Sequence, residues 1–184
     1  MKNKTFHYYF YVMRFILPLL VLLLFSCKND TEAGAKADLQ AESQPMALEI
    51  YDFEGLKKFL NTTSNKTYVV NFWATWCAPC VKELPYFEDL STHYAKQNVE
   101  VILVSLDFPK TYETSLKPFL KEKKLQTKVV ALDDANFNSW IPQVHTDWSG
   151  AIPATLIYNK EKRQFFEKSF TYKELENEVK QFIK

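Results

Sequence analysis

The chain has few residues of the types that build metal sites, because only three of its 184 residues are cysteine and three are histidine. Cys77 and Cys80 form a close pair, whereas Cys27 stands far from both. A structural Cys₄ zinc site needs two such pairs, so the sequence excludes that class of site. A Thr-x-x-Cys motif, which is typical of a peroxidatic cysteine, is absent, and no segment is repeated.

The sequence also lacks a strong excess of charge. It carries 23 Lys and Arg against 22 Asp and Glu, so the formal net charge is +1. Removing residues 1–26 takes away three bases and no acid, which leaves about 20 against 22. This balance argues against a nucleic acid as partner.

Residues 1–26 have the pattern of a secretory signal. Three bases without an acid precede an eleven-residue apolar run over 15–25, which is too short to span a bilayer comfortably. Residues 24–27 (LFSC) resemble a bacterial lipobox, in which Cys27 is acylated and becomes the mature N-terminus. Several acyl chains on Cys27 would anchor the protein durably to a membrane. An ordinary signal peptide or an uncleaved anchor, with Cys27 incidental, is the alternative.

Residues 27–45 are predicted to form a lipid-anchored flexible tether. Residues 28–45 contain no aromatic residue and a single large aliphatic one, Leu39, so they cannot bury a core. A random coil of that length spans about 20–25 Å on average. Residues 46–184 are long enough and apolar enough to form one domain.

The pattern of this domain alternates between strands and helices, which predicts an α/β fold with a mixed sheet. Two segments resist a simple assignment. Residues 137–144 are ambiguous, and Pro118 lies where it begins a helix rather than interrupts one. Strands are predicted over 48–53, 68–73, 99–106, 128–132 and 154–158, a hairpin partner over 164–170, and helices over 53–60, 77–96, 111–125 and 171–182.

Cys77 and Cys80 lie where the apolar strand over 68–73 gives way to an amphipathic helix. The free N–H groups and the positive dipole end of a helix stabilise a thiolate, the form that attacks disulfides. A Cys-x-x-Cys pair in this context indicates redox chemistry. A structural disulfide, or half of a metal site, is the alternative.

Three segments together resemble thioredoxin-fold thiol–disulfide oxidoreductases, most of all the membrane-tethered TlpA/ResA-type reductases of bacterial envelopes. They are residues 71–80 (NFWATWCAPC), 81–85 (VKELP) and 150–155 (GAIPAT). The resemblance implies a thioredoxin-like mixed β-sheet flanked by helices on both faces, over about 48–184. It also implies chemistry that needs no cofactor and no metal.

The resemblance assigns roles to the two cysteines. Cys77 is expected to be the nucleophile and the sulfur that the fold exposes, and Cys80 the shielded thiol that resolves the mixed disulfide. Trp76 is expected to shield the site and contact substrate, with packing as the alternative. Pro79 removes a backbone donor that could stabilise a thiolate, which favours reduction over oxidation of substrates.

Glu83 is a candidate proton-transfer residue. It lies three residues past Cys80, so it borders the same helix face, and burial would raise its pKa. Thioredoxin has an aspartate beneath its disulfide, but the corresponding residue of this chain is Asn71, which cannot titrate. A solvent-exposed Glu83 paired with a lysine is the alternative.

Pro153 is expected to follow a cis peptide bond, because the resemblance reverses the usual preference for trans. Ile152 would then pair with an extended substrate chain through its backbone. His145 precedes this loop, and together with Cys77 and Cys80 it raises the alternative of a Cu(I)-binding metallochaperone. Copper chaperones of related fold, however, usually have three residues between their cysteines.

These observations predict an envelope thiol–disulfide oxidoreductase, with its domain in the periplasm or on the outer surface. It would reduce disulfides in exported proteins, with apocytochrome c as a family-typical substrate. A membrane thiol electron donor is implied by the compartment and by the family, because the envelope lacks a thiol buffer.

Overall fold

The computed structural model describes residues 47–183, and a six-stranded mixed sheet lies at their centre. The sheet order is β1-β4-β3-β2-β5-β6. The first four strands in this order are parallel, whereas β5 and β6 run antiparallel to their neighbours. The strands are β1 Glu49–Tyr51, β2 Thr67–Trp73, β3 Val99–Ser105, β4 Lys128–Leu132, β5 Ala154–Tyr158 and β6 Arg163–Phe166.

Five α-helices connect and cover these strands, and the predicted helix over 111–125 is divided. A π-helical turn over Tyr112–Leu116 precedes its α-helical part, and Pro118 lies in the first turn of that part. The ambiguous segment over 137–144 is helical despite Pro142. The helices are α1 Phe53–Leu56, α2 Ala78–Tyr94, α3 Lys117–Lys123, α4 Phe137–Val144 and α5 Tyr172–Lys180.

Strand β2 is buried along its whole length because apolar clusters pack on both of its faces. Val69 and Trp73 face a cluster that includes buried residues of α2 and α5. The alternate residues of the strand face a second cluster that includes residues of α1 and α4. Side chains that alternate between the two faces of a strand produce this arrangement. The predicted sheet with helices on both faces is therefore confirmed.

Helices α2 and α5 begin at well-defined caps. Thr171 and Glu174 form a capping box at the start of α5, as their spacing predicts. Cys77 is the N-cap of α2. No helix within residues 47–183 is long and apolar enough to cross a membrane. The predicted signal peptide, acylated Cys27 and tether over 27–45 lie outside the described residues and stay predictions.

Candidate active site

The two cysteines form a disulfide at the N-terminus of α2. The loop after β2 turns sharply, since the Cys77 N–H donates to the carbonyl oxygen of Ala74 at 3.1 Å. The Cys80 N–H in turn points at the Cys77 Sγ, at 3.3 Å. A thiolate at Cys77 would therefore receive a backbone hydrogen bond and the positive end of the helix dipole.

The two cysteine residues differ in their exposure to solvent. Cys80 is 0% exposed, and Cys77 is only 6% exposed. Cys77 is therefore the outer residue of the pair, and its role as the nucleophile stays a prediction. The loop before β5 lies close to Cys77, because the Ile152 carbonyl oxygen is 3.7 Å from the Cys77 Sγ.

This loop contains the cis peptide bond between Ile152 and Pro153 that the resemblance implies. The Glu167 carboxylate, just beyond β6, holds the loop by accepting hydrogen bonds from the N–H groups of Ser149 and Ala151, each at 3.1 Å. The Ser149 hydroxyl also donates to this carboxylate and contributes most to lowering the pKa of Glu167, and the two N–H groups lower it further. The sheet edge and the loop are thus joined directly beside the disulfide.

Glu83 is buried, at 1% exposure, so the alternative of a solvent-exposed glutamate is wrong. Its carboxyl group accepts the Phe170 N–H at 2.8 Å and the Asn71 Nδ2 at 3.2 Å. Burial raises the pKa of Glu83 from 4.5 to about 7, and the two hydrogen bonds oppose that rise. A carboxyl group with such a pKa can both take and release a proton near neutral pH.

Trp76 lies on the surface and does not pack into the core. It is 59% exposed, and its ring stacks on that of Phe108 with centroids 6.4 Å apart and planes 18° apart. Phe108, itself 52% exposed, follows the end of β3 and was not predicted from the sequence. Phe108 lies beyond the carboxyl end of β3, which is parallel to β2, and ligands commonly bind at this end of an open α/β sheet. This position could have predicted a role for Phe108.

Asp107 is a second residue that the sequence analysis missed. It is buried, and its carboxylate accepts hydrogen bonds from the Thr75 N–H at 3.0 Å, the Thr75 hydroxyl and the Ser105 hydroxyl. These bonds join the end of β3 to the loop that leads into Cys77. An acidic residue directly after a buried strand was the available signal, because such a charge needs partners when it is buried.

His145 does not join the cysteines in a metal site. Its ring stacks on Phe165 at 4.8 Å, and its Nδ1 accepts the Asp147 N–H at 3.2 Å. No three His, Cys, Asp or Glu side chains of residues 47–183 are grouped so that they could hold a metal ion. The Cu(I)-binding alternative therefore gains no support from the described part of the chain.

Comparisons with known proteins agree with this geometry. The sequence profile of the AhpC/TSA family matches residues 38–163. A thiol-disulfide oxidoreductase ResA of Bacillus cereus is 32% identical over 126 residues, which cover 68% of this chain and 68% of that protein.

Two solved structures share the fold. The thioredoxin domain of a thiol-disulfide oxidoreductase from Bacteroides vulgatus matches with a TM-score of 0.53 and 22% identity, covering 70% of this chain and 84% of that one. A DsbF homologue from Corynebacterium diphtheriae matches with a TM-score of 0.52 and 20% identity, covering 64% of this chain and 73% of that one. The chain therefore belongs to the AhpC/TSA family, has a thioredoxin-like fold, and is a thiol–disulfide oxidoreductase.

Proposed function

We propose that the protein is a reductase of disulfides in exported proteins and acts through the Cys77–Cys80 pair. The observation that carries this proposal is the layered site at the start of α2. Cys77 caps the helix beneath the Ile152–Pro153 loop, Cys80 lies one turn deeper, and the buried Glu83 carboxyl follows on the same helix.

The first step is attack by the Cys77 thiolate on a substrate disulfide. The bond between the two substrate sulfurs breaks, a mixed disulfide forms at the Cys77 Sγ, and one substrate sulfur leaves as a thiolate that takes a proton. The Cys80 N–H and the N-terminus of α2 stabilise the attacking thiolate.

The second step regenerates the disulfide that the structure contains. Cys80 loses its proton to the Glu83 carboxylate and attacks the Cys77 Sγ, which releases the second substrate sulfur as a thiolate. Glu83 can then return the proton to that leaving sulfur. Two electrons pass from the enzyme dithiol to the substrate, so the enzyme ends oxidised and the substrate ends as two thiols.

Substrate positioning is assigned to the outer surface of the site. The backbone of Ile152, held by the cis bond to Pro153, lies within 3.7 Å of the Cys77 Sγ through its carbonyl oxygen. An extended substrate chain that pairs with this backbone would bring its own sulfur to Cys77. Trp76, which directly precedes Cys77, stacks on Phe108 to form an exposed aromatic pair. This pair is suited to binding apolar side chains of the substrate.

The proposed location is the bacterial cell envelope, with the domain on the outer side of a membrane. The supporting features are the signal-like residues 1–26, the lipobox-like residues 24–27 and the tether over 27–45. In that compartment the dithiol must be restored by a thiol donor in the membrane. Exported proteins, with apocytochrome c among them, are the proposed substrates.

The reduction potential of the Cys77–Cys80 pair tests the direction of the reaction. The protein is equilibrated with dithiothreitol and glutathione buffers, and the fraction oxidised is measured by thiol labelling. A reductase is expected to have a potential in the range of thioredoxin, at about −270 mV. A value of about −120 mV, as in a strong oxidant, would overturn the proposal. Pro79→His restores the backbone N–H that proline lacks, which could stabilise a thiolate. The reduction potential of this variant should therefore be higher than that of the wild type.

A further inference from the structure

The turn before β5 leads into the backbone that the proposed function assigns to substrate pairing, and two side chains hold this turn. Glu167, exposed just beyond β6, accepts hydrogen bonds from the N–H groups of Ser149 and Ala151, each at 3.1 Å, and from the Ser149 hydroxyl. The indole Nε1 of Trp148 donates to the Ala151 carbonyl oxygen at 2.8 Å. Both backbone groups of Ala151 are therefore bonded within the protein.

The indole of Trp148 is held firmly in place. The residue is only 5% exposed, and the centroid of its ring lies 4.7 Å from that of Phe72 and 5.5 Å from that of Phe165. A donor fixed by such packing also fixes the direction of the carbonyl group that accepts from it. The packed rings thus determine the orientation of the Ala151 carbonyl group.

The Ala151 carbonyl group and the Ile152 N–H belong to the same planar peptide unit. This unit is trans, since the only cis peptide bond within residues 47–183 is the one between Ile152 and Pro153. In a trans unit the C=O and N–H bonds point in opposite directions. The Ile152 N–H therefore points away from the Trp148 indole nitrogen, and the Ile152 carbonyl oxygen lies 3.7 Å from the Cys77 Sγ. Both backbone groups of Ile152 have defined directions.

The turn itself lies beyond the hydrogen-bonded ladder of the sheet. The pairing of β5 with β6 ends at Thr155 and Phe166, so it does not reach residues 149–151. Gly150 has a φ of +92° and no side chain that would restrict the backbone there. Glu167, the first residue after β6, connects the sheet edge to the turn through its carboxylate instead. Loss of these hydrogen bonds would loosen the turn and leave the ladder intact.

We propose that Glu167 and Trp148 are positioning residues that hold the Ile152 backbone in the orientation in which an extended substrate chain pairs with it. The inference rests on the pairing of substrate with Ile152 in the proposed function, and it names the side chains that control this pairing. It predicts that both side chains affect reactions with a peptide chain and leave the intrinsic reactivity of the Cys77 thiolate unchanged.

Two probes with the same reacting bond can separate these effects. One is a short extended peptide with a single cysteine, and the other is a cysteine with blocked ends; both are prepared as mixed disulfides with thionitrobenzoate. The reduced full chain carries Cys27→Ser and Cys80→Ser, so that Cys77 is its one remaining thiol. Attack by Cys77 releases thionitrobenzoate, which is followed by its absorbance. The ratio of the peptide rate to the cysteine rate measures the contribution of chain pairing.

Glu167→Gln keeps the size of the side chain but replaces one acceptor oxygen with an NH₂ group, which cannot accept. The rate ratio should fall about three- to tenfold, the size expected for one hydrogen bond, while the rate with the cysteine probe stays unchanged. Asp147→Asn, exposed in the same loop, makes the same change of charge and should keep the ratio. An unchanged ratio in Glu167→Gln, an equal fall for both probes, or equal rates with both probes in the parent chain would overturn the inference.

Trp148→Phe provides an independent measurement, because it retains an aromatic ring and removes the indole N–H. It should lower the same ratio without changing the rate with the cysteine probe, and a retained ratio would contradict the role of Trp148. Should this buried variant fail to fold, Glu167→Gln decides, since its side chain is exposed.

The reduction potential separates this inference from the proposed function, because mixed-disulfide formation does not depend on the direction of net electron transfer. A strongly oxidising potential, together with a ratio that falls in Glu167→Gln, would refute the reductase and leave the positioning role in place. A potential in the range of thioredoxin, together with an unchanged ratio, would refute the positioning role and leave the reductase in place.

Discussion

The site has an outer half and an inner half that obey different physical requirements. The outer half consists of Cys77 with the aromatic pair Trp76 and Phe108, and the two aromatic rings are more than half exposed. The inner half consists of Cys80 and Glu83, which are 0% and 1% exposed. One turn of α2 separates the two cysteines, and we propose that a protein substrate meets the outer half.

In the proposed mechanism, a single helix divides the reaction between these two halves. Exchange of a disulfide with another protein needs access and a stabilised thiolate, which the N-terminus of α2 provides. Proton transfer near neutral pH needs a carboxyl group with a raised pKa, and only burial supplies it here. Both requirements can be met because the helix begins at the surface and continues beneath the loop of Pro153.

Replacing the cysteines one at a time should give the largest contrast between the halves. Cys77→Ser is expected to reduce turnover to the uncatalysed background, because the thiol proposed to attack the substrate is missing. Cys80→Ser should still attack substrate but accumulate mixed disulfides that cannot be resolved. Insulin reduction and non-reducing mass spectrometry measure the two effects. Mixed disulfides in Cys77→Ser, or full turnover in either variant, would contradict the assignment.

Glu83→Gln keeps the size of the side chain but removes its proton chemistry. We expect the resolving step to slow by about a hundredfold or more, at the lower end of general acid–base effects, and to lose its pH dependence near pH 7. Rapid-mixing kinetics of the mixed disulfide measure that step. Asp89→Asn, at an exposed position on α2, makes the same change from carboxylate to amide; it is the control and should leave the rate unchanged.

The stability of the oxidised protein should depend on pH through Glu83. The pKa of Glu83 is about 7 in the folded protein, against an ordinary value of 4.5. Between pH 4.5 and pH 7, the folded protein therefore holds a proton on Glu83 that the unfolded chain has released. The stability that this proton contributes is fully present below about pH 4.5 and is lost as the pH rises through 7. The free energy of unfolding should therefore fall by up to about 3 kcal/mol over this range. Denaturant titrations at several pH values measure it. Glu83→Gln should flatten this slope, and a wild type as flat as the variant would contradict the raised pKa.

The aromatic pair of the outer half should have the smallest effect. Trp76→Ala and Phe108→Ala are expected to raise KM for a protein substrate several-fold each, the size of one aromatic contact, with little change in stability. Ile50→Ala is the control, because Ile50 is exposed on β1 at the far edge of the sheet. Steady-state kinetics with a protein and with a small disulfide separate the effects. An equal change for both substrates would argue against protein docking at this pair.

The sequence predicted the local elements better than the contacts between them. Strands β4 and β5 have the predicted bounds, since their apolar β-branched runs are short and clearly bounded. The order of the strands could not be read, because pairing between distant segments leaves no local signal. The helix face of Glu83 followed from its spacing to Cys80, but its depth did not, because Phe170 reaches it from a segment 87 residues away.

The same limit applies to the surroundings of Cys77. Its place at the start of α2 is local and was read from the Cys-x-x-Cys motif. Its contact with Ile152, which lies 75 residues further along the chain, could not be read in the same way. Phe108 and Asp107 were missed for a related reason, because their importance comes from the loop of Thr75 and Trp76 that they contact.

Competitive alkylation of the reduced full chain tests the division of the site most directly. A limiting amount of iodoacetamide is added at mildly acidic pH, and fragment-ion mass spectrometry locates the label at Cys77 or Cys80. The account predicts that Cys77 is labelled first, because its thiolate is stabilised and its sulfur lies in the outer half. Equal labelling, or preferential labelling of Cys80, would contradict it.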